Sequence, residues 1–184
     1  MGRFPACHAG SVRPPTYCTR CAGELEHSGR HPRCTSCGRT HHRDPKVGVG
    51  VVVVQDERLL LVRRGVAPGK GLWALPAGYV DADEDPREAA AREAREETGL
   101  LVSVGAVVDV YPGTGTGGHG GASFFLAFRA TVVGGQLAAA DDALDAAFFS
   151  ADGLPALAFA STLDAVRRVF DVDRLTVERG PTGC

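Results

Sequence analysis

Three observations predict a loop-rich α/β or β-rich domain preceded by a small cysteine-rich unit. The chain has 184 residues, of which 44% are hydrophobic and 23% charged, enough for one ordinary domain with an appendage. Its 24 glycines and 11 prolines suit a loop-rich α/β or β-rich chain rather than a helical bundle. Four of its six cysteines stand in two Cys-x-x-Cys pairs near the N-terminus, ahead of the first long apolar run.

Cys18 and Cys21 form the first pair and Cys34 and Cys37 the second, with twelve residues between the pairs. Two such knuckles joined by a short hairpin bring four thiolates around one tetrahedral ion, the arrangement of a zinc ribbon. Ala22-Gly23 and Gly38 are small residues that suit the tight turn after each pair. Redox pairs or disulfides are the alternative, disfavoured by the paired spacing and by the reducing compartment argued below. Four thiolates close the coordination sphere, so the zinc is expected to be structural. Cys7-His8 and His41-His42 are further candidate ligands, read as surface residues.

Residues 47–54, Val-Gly-Val-Gly-Val-Val-Val-Val, read as a buried strand. Gln55-Asp56-Glu57 is a turn and 58–64 a second strand, so the two are expected to form a hairpin. Asp85-Pro86-Arg87-Glu88 starts a helix: Asp85 caps it and Pro86 fits its first position. That helix runs to about Thr98, where Gly99 stops it. Strands follow at 102–111 and 123–133, with a glycine-rich segment at 112–122 between them. Gly113-x-Gly115-x-x-Gly118 matches a dinucleotide fingerprint in form only, because a strand follows it instead of a helix. His119 in this segment is read as a solvated loop residue. Asp141, Asp142 and Asp145 precede an expected strand at 146–150, and a last helix is expected from Ser161 through Phe170.

At 100° per residue, Glu97 lies about 40° to one side of Glu93 on the helix and Glu96 about 60° to the other. Three like charges on one face repel. A divalent cation compensates them, and hard oxygen ligands select Mg²⁺ or Mn²⁺. Ala89 and Ala90, one turn earlier, are expected to leave room for a bulky ligand, while Ala91, Ala94 and Thr98 are expected to pack on a sheet.

Gly78-x5-Glu84-x7-Arg92-Glu93-Ala94-x-Glu96-Glu97-x-Gly99-Leu100 resembles the Nudix box at every fixed position. Ala94 is smaller than the usual aliphatic, and Asp83 stands where a glycine commonly precedes the first glutamate. Together with the ribbon, Asp44-Pro45-Lys46-Val47, Leu75-Pro76-Ala77-Gly78-Tyr79 and the late Leu154-Pro155-Ala156-Leu157-Ala158-Phe159, the chain resembles Nudix hydrolases with an N-terminal zinc ribbon. Enzymes of the FAD pyrophosphatase and ADP-ribose pyrophosphatase types belong to that subgroup. The resemblance covers roughly residues 16–170.

The resemblance implies an α/β/α sandwich with a mixed sheet. It divides the chain into a flexible segment 1–15, a ribbon 16–43, a Nudix domain 44–170 and a tail 171–184. It makes Glu93 and Glu97 the principal ligands of Mg²⁺ or Mn²⁺, Glu96 a further ligand or a holder of metal-bound water, and the Ala77 carbonyl an additional ligand. Arg92 would pair with Glu84, and Asp145 would be a base or ligand. The implied reaction is hydrolysis of the diphosphate linkage in a nucleoside diphosphate joined to another group. The alternatives are a nucleotide-sensing module that does not cut, or an enzyme acting on NADH or on nucleoside triphosphates. NADH pyrophosphatases carry a Ser-Gln-Pro-Trp segment after the box, and 101–111 has none.

Net charge is −2, which predicts neither a nucleic-acid nor a membrane partner. Residues 1–46 carry eight basic residues against three acids, a net +5, leaving −7 for the remainder. That excess is read as a solvated face or one helping to hold substrate phosphates. No run approaches the roughly 18 apolar residues of a membrane span. The first residues lack an apolar core, so no secretory signal is expected and the cytoplasm is the default. The expected partner is a small nucleotide substrate, and a homodimer is compatible with the sequence.

Overall fold

In chain order the elements are β1 (Leu25–Glu26), β2 (Arg33–Cys34), β3 (Lys46–Gln55), β4 (Arg58–Arg64), β5 (Trp73–Ala74), β6 (Ala77–Tyr79), α1 (Pro86–Thr98), β7 (Leu100–Pro112), β8 (Ser123–Gly135), β9 (Ala143–Ser150) and α2 (Ala160–Phe170). A computed structural model describes residues 15–42, 44–112 and 123–170. The expectations for Cys7, His8, His119, Cys184 and the tail 171–184 lie outside these residues, as does nearly all of the segment 1–15. The described residues fall into two compact units, dividing between Pro45 and Lys46.

In the first unit β1 and β2 pair antiparallel, Leu25 opposite Cys34. Its core is only Cys18, Leu25 and Cys34.

The second unit is built around β3. Along one edge β3 runs parallel to β8 over eight residue pairs, from Lys46↔Ser123 to Val53↔Ala130. Its other edge is divided. Residues 48–50 take β6 antiparallel, and only Val54 and Gln55 pair with β4. The expected hairpin therefore exists only at its tip, where Asp56 and Glu57 turn the chain at φ 49° and 58°. Left-handed conformation at both central residues is what a tight two-residue hairpin requires. Beyond the tip β4 pairs with β9 and β5, because β6 occupies the edge of β3 that β4 would need. β7 completes the sheet on the outer edge of β8.

Helices cover both faces. Val49, Val51, Val53, Leu60, Phe128 and Ala130 pack with Ala89, Ala90 and Ala94 of α1. Val52, Leu59, Leu61, Leu75 and Ala127 pack with Leu163, Ala165 and Val166 of α2. Adjacent strand residues thus serve opposite cores, as the two-residue period of a strand demands. Burying each Val or Leu contributes about 1.5–3 kcal/mol. Ala89 and Ala90 are fully buried in this packing, so they seat α1 on the sheet instead of leaving room for a ligand. Among the described residues no helix is long and apolar enough to cross a membrane.

Candidate active site and zinc centre

The position of α1 is set at both ends. The Asp85 carboxylate accepts from the Arg87 amide at 2.7 Å, with Pro86 in the first turn. Gly99 closes the helix at φ 71°. The carbonyls of Glu97 and Thr98, which have no partner inside the helix, accept from the Ala140 and Ala138 amides at 3.2 and 2.9 Å. A side chain at Gly99 would meet the Gln136 carbonyl, so this junction requires glycine. These bonds bring Asp141 and Asp142 to the end of α1 that bears the glutamates.

Arg92 organises the carboxylates. Its Nε and one terminal nitrogen donate to both oxygens of Glu84 at 2.8 and 2.9 Å. The other terminal nitrogen donates to Glu93 at 2.8 Å and to Glu96 at 3.0 Å. The Tyr79 carbonyl also accepts from Arg92, at 3.1 Å. The Arg92 guanidinium, helped by the Asp81 amide, holds the Glu84 carboxyl down at about 2. Gly78 is needed for close approach: any Cβ there would overlap the Glu93 carboxylate.

Glu97 is only 3% exposed and accepts from the Ala77 amide at 2.8 Å. Burial pushes its carboxyl up to about 8, with the nearby acids Asp142 and Glu93 adding to the shift and the Ala77 amide opposing it. Glu93 is also raised, by burial first, against the pull of Arg92. Glu97 with Glu93 and Asp142 beside it, and Arg92 bonded to Glu93 and Glu96, offers the hard oxygen donors a divalent cation takes, although among the described residues these carboxylates do not converge within 4.8 Å as the four thiols do.

The structure brings Glu84, Arg92, Glu93, Glu96, Glu97 and Ala77 together. β9 begins at Ala143, so Asp145 is inside the strand, exposed, with its carboxylate on the Ala146 amide at 2.9 Å. The acids that act on the glutamates are Asp141, felt by Glu93, and Asp142, felt by Glu97. In the sequence the three aspartates look alike; the distinguishing signal was the Gly99–Gly135 pair, whose close approach folds 136–142 back onto α1.

Asp83 adopts φ 66°, the region where a side chain is strained and glycine is not. That is a physical reason for the glycine common at this position. Asp83→Gly should stabilise the fold by up to about 1 kcal/mol, read as a higher midpoint in chemical denaturation.

The raised Glu97 carboxyl also gives a pH expectation. A carboxyl raised on folding favours the folded state below its ordinary range of about 4 to 4.5, and that contribution is lost as pH rises through about 8. Near neutrality the metal-free chain holds this proton, so Mg²⁺ or Mn²⁺ binding should release it. Calorimetric titrations in buffers of different ionisation enthalpy should differ; identical heats would contradict the assignment.

In the ribbon unit the sulfurs of Cys18, Cys21, Cys34 and Cys37 all lie within 4.8 Å of one another. Cys18–Cys37 and Cys21–Cys34 are 3.7 and 3.6 Å apart, close to the roughly 3.8 Å between ligands in a tetrahedral Zn–S₄ site. The Cys37 amide points at Cys34 and the Arg20 amide at Cys18, both at 3.4 Å. The Cys37 amide is the main reason the Cys34 thiol is lowered to about 6. Ala22 and Gly38 take φ 55° and 71°, and their amides donate to the Cys18 and Cys34 carbonyls at 2.8 and 3.0 Å, closing the turn of each pair. The residues fit zinc. His41 departs from the surface reading: its Nε2 is 3.3 Å from the Cys18 sulfur.

A family model for the NUDIX domain matches residues 44–169, and the chain belongs to the Nudix family of hydrolases. It is 41% identical over 117 residues to an ADP-ribose pyrophosphatase of Methanocaldococcus jannaschii, covering 62% of this chain and 68% of that one. It is 33% identical over 129 residues to the NAD-capped RNA hydrolase NudC of Stutzerimonas stutzeri, covering 67% of this chain and 43% of NudC. The chain thus spans less than half of NudC. A NUDIX hydrolase from Nitrosomonas europaea superposes with a TM-score of 0.74 at 26% identity, covering 85% of this chain and 91% of that one.

Proposed function

We propose that the chain hydrolyses, with Mg²⁺ or Mn²⁺, the diphosphate linkage of a nucleoside diphosphate joined to another group, of the ADP-ribose or FAD type. The observation that carries this reading is the buried Glu97 beside Glu93 and Asp142, with Arg92 spanning Glu84, Glu93 and Glu96. The name of the Methanocaldococcus jannaschii relative supports the substrate class. A bound divalent cation supplies neutralisation of the phosphate oxygens and an activated water.

The chain's own residues do the rest. Glu93, Glu97 and the Ala77 carbonyl hold the cation, and Glu96 holds it or a water on it. Arg92 and Glu84 fix the loop between Gly78 and α1, so the carboxylates keep one geometry. Asp142, whose charge acts on Glu97, is a better candidate than Asp145 to orient water or take a proton. The ribbon 16–43 carries a structural zinc on Cys18, Cys21, Cys34 and Cys37, and a reducing cytoplasm keeps these thiolates available to the metal.

A substrate panel with Mg²⁺ and Mn²⁺ tests this: ADP-ribose, FAD, NADH, diadenosine polyphosphates and nucleoside triphosphates. The expected result is kcat/KM for ADP-ribose or FAD above that for every triphosphate. A triphosphate ahead by roughly tenfold would overturn the substrate class.

A further inference from the structure

Residues 39–41 run as a third strip of the ribbon beside 32–34. The Cys34 amide donates to the Arg39 carbonyl at 2.8 Å and the His41 amide to the Pro32 carbonyl at 2.8 Å, with Thr40 bridged antiparallel to Arg33. Backbone bonds on both sides of Thr40 thus fix the direction of the His41 side chain. Successive residues of an extended strip point to opposite sides. His42 is exposed, with its ring 4.6 Å from that of His31, whereas His41 is half-buried. His41 turns toward the first cysteine pair, and its Nε2 stops 3.3 Å from the Cys18 sulfur.

Cys18 is 3% exposed, while Cys21 and Cys37 are open to solvent. Four thiolates on one zinc ion leave surplus negative charge on sulfur. Exposed sulfurs share that charge with water; a buried one needs donors from the protein. The Cys34 sulfur, equally buried, takes the Cys37 amide of its own turn at 3.4 Å. The Cys18 sulfur takes the Arg20 amide of its turn at 3.4 Å and, in addition, His41 from 23 residues away.

The direction of this contact follows from the count of protons. A neutral imidazole carries a proton on one ring nitrogen only, and a zinc-bound thiolate carries none. At 3.3 Å, Nε2 and the sulfur attract each other only with the proton on Nε2. A proton on Nδ1 would leave two lone pairs face to face. His41 is not itself in the ligand set. Among the described residues the ligand atoms mutually within 4.8 Å are the four sulfurs alone, and a structural zinc takes four ligands. The ring stands behind Cys18, outside the tetrahedron. An apolar side chain at 41 would cover Cys18 equally well, so packing alone does not call for a polar nitrogen there.

We propose that His41 is a positioning residue of the zinc centre, donating its Nε2 proton to the Cys18 thiolate from outside the ligand set and so holding that sulfur on the metal. The proposal rests on the reading of the four cysteines as a zinc site and names what retains the ion there. Partners of this kind change metal affinity by about 10- to 100-fold. The same bond closes the strip 39–41 onto the first cysteine pair, so this strip is tied to the metal although it supplies no ligand.

The test uses the full chain loaded with zinc. Transfer of zinc to a coloured chelator is timed for wild type, His41→Phe and His41→Gln, and the ligand set is read from the absorption of Co²⁺-substituted protein. His41→Phe keeps a flat ring without the donor. It should lose zinc roughly tenfold faster or more, with a cobalt spectrum still that of four thiolates. His41→Gln returns an N–H at about the reach of Nε2 and should restore most of the wild-type retention, which lost packing would not allow. In ¹⁵N spectra of zinc-loaded wild type, the His41 ring should carry a proton on Nε2. That measurement needs no variant and decides the outcome even where His41→Phe does not fold.

His41→Phe that holds zinc within about twofold of wild type overturns the proposal, as does a wild-type ring with its proton on Nδ1 alone. Both results leave the zinc site standing. A wild-type cobalt spectrum of three thiolates and one imidazole overturns the proposal by making His41 a ligand. Wild type that takes up no zinc overturns the zinc reading and this proposal with it.

Discussion

Glu97→Gln should lower kcat on the order of a thousandfold while the protein stays folded. Glutamine keeps the shape of the side chain and an oxygen to accept the Ala77 amide, now 2.8 Å from Glu97. In the metal-free chain Glu97 already holds its proton near neutrality, so the neutral glutamine should leave the metal-free fold about as stable as wild type. What it loses is a charged ligand for the cation, worth several kcal/mol in the transition state at about 1.4 kcal/mol per tenfold. Steady-state kinetics with ADP-ribose, beside a thermal melt, separates the two effects. Turnover near wild type would sink the role given to Glu97. A similar loss in Asp142→Asn, with Asp145→Asn close to wild type, would support the placement of the additional acid.

Cys34→Ser should release the zinc and unfold the ribbon while sparing the Nudix unit. Cys34 is 2% exposed and stands opposite Leu25 in a hairpin whose two strands have two residues each. A core of Cys18, Leu25 and Cys34 is too small to hold a fold without metal. Structural zinc contributes on the order of 10 kcal/mol in units of this kind, so its loss is decisive. Wild-type protein purified without added metal should hold about one zinc per chain, and the variant well under half of that. Hydrogen exchange should then rise across 16–40 and stay low in β3 and α1. Full zinc occupancy in the variant would show that the ligand set is wrong.

Much of the site was legible because its signals are local. The cap at Asp85, the stop at Gly99 and the face shared by Glu93, Glu96 and Glu97 follow from helix geometry, which a run of about thirteen residues fixes unaided. The cysteine spacing likewise defines each knuckle within a few residues, and the sulfurs do converge within 4.8 Å. The strands and the capped helix are local signals too, and the α/β class came with the resemblance that the box carries.

What a run of residues cannot carry is which distant group becomes its neighbour. β3 and β4 look like a full hairpin, but β6 takes residues 48–50 of β3 and confines the hairpin to its tip. Ala89 and Ala90 look like space for a ligand; packing against Val49, Val51 and Phe128 makes them the seat of the helix. Asp141, Asp142 and Asp145 differ little in sequence, and Asp142 reaches Glu97 because Ala138 and Ala140 cap the last carbonyls of α1. His41 reads as a surface residue until the hairpin brings its Nε2 to 3.3 Å from the Cys18 sulfur. The sequence by itself determined the chemistry on offer, namely a ladder of carboxylates on one helix and a set of four thiols. The tertiary structure decided which carboxylate is buried and which additional acid acts on it, because burial and hydrogen bonding are set by non-local contacts.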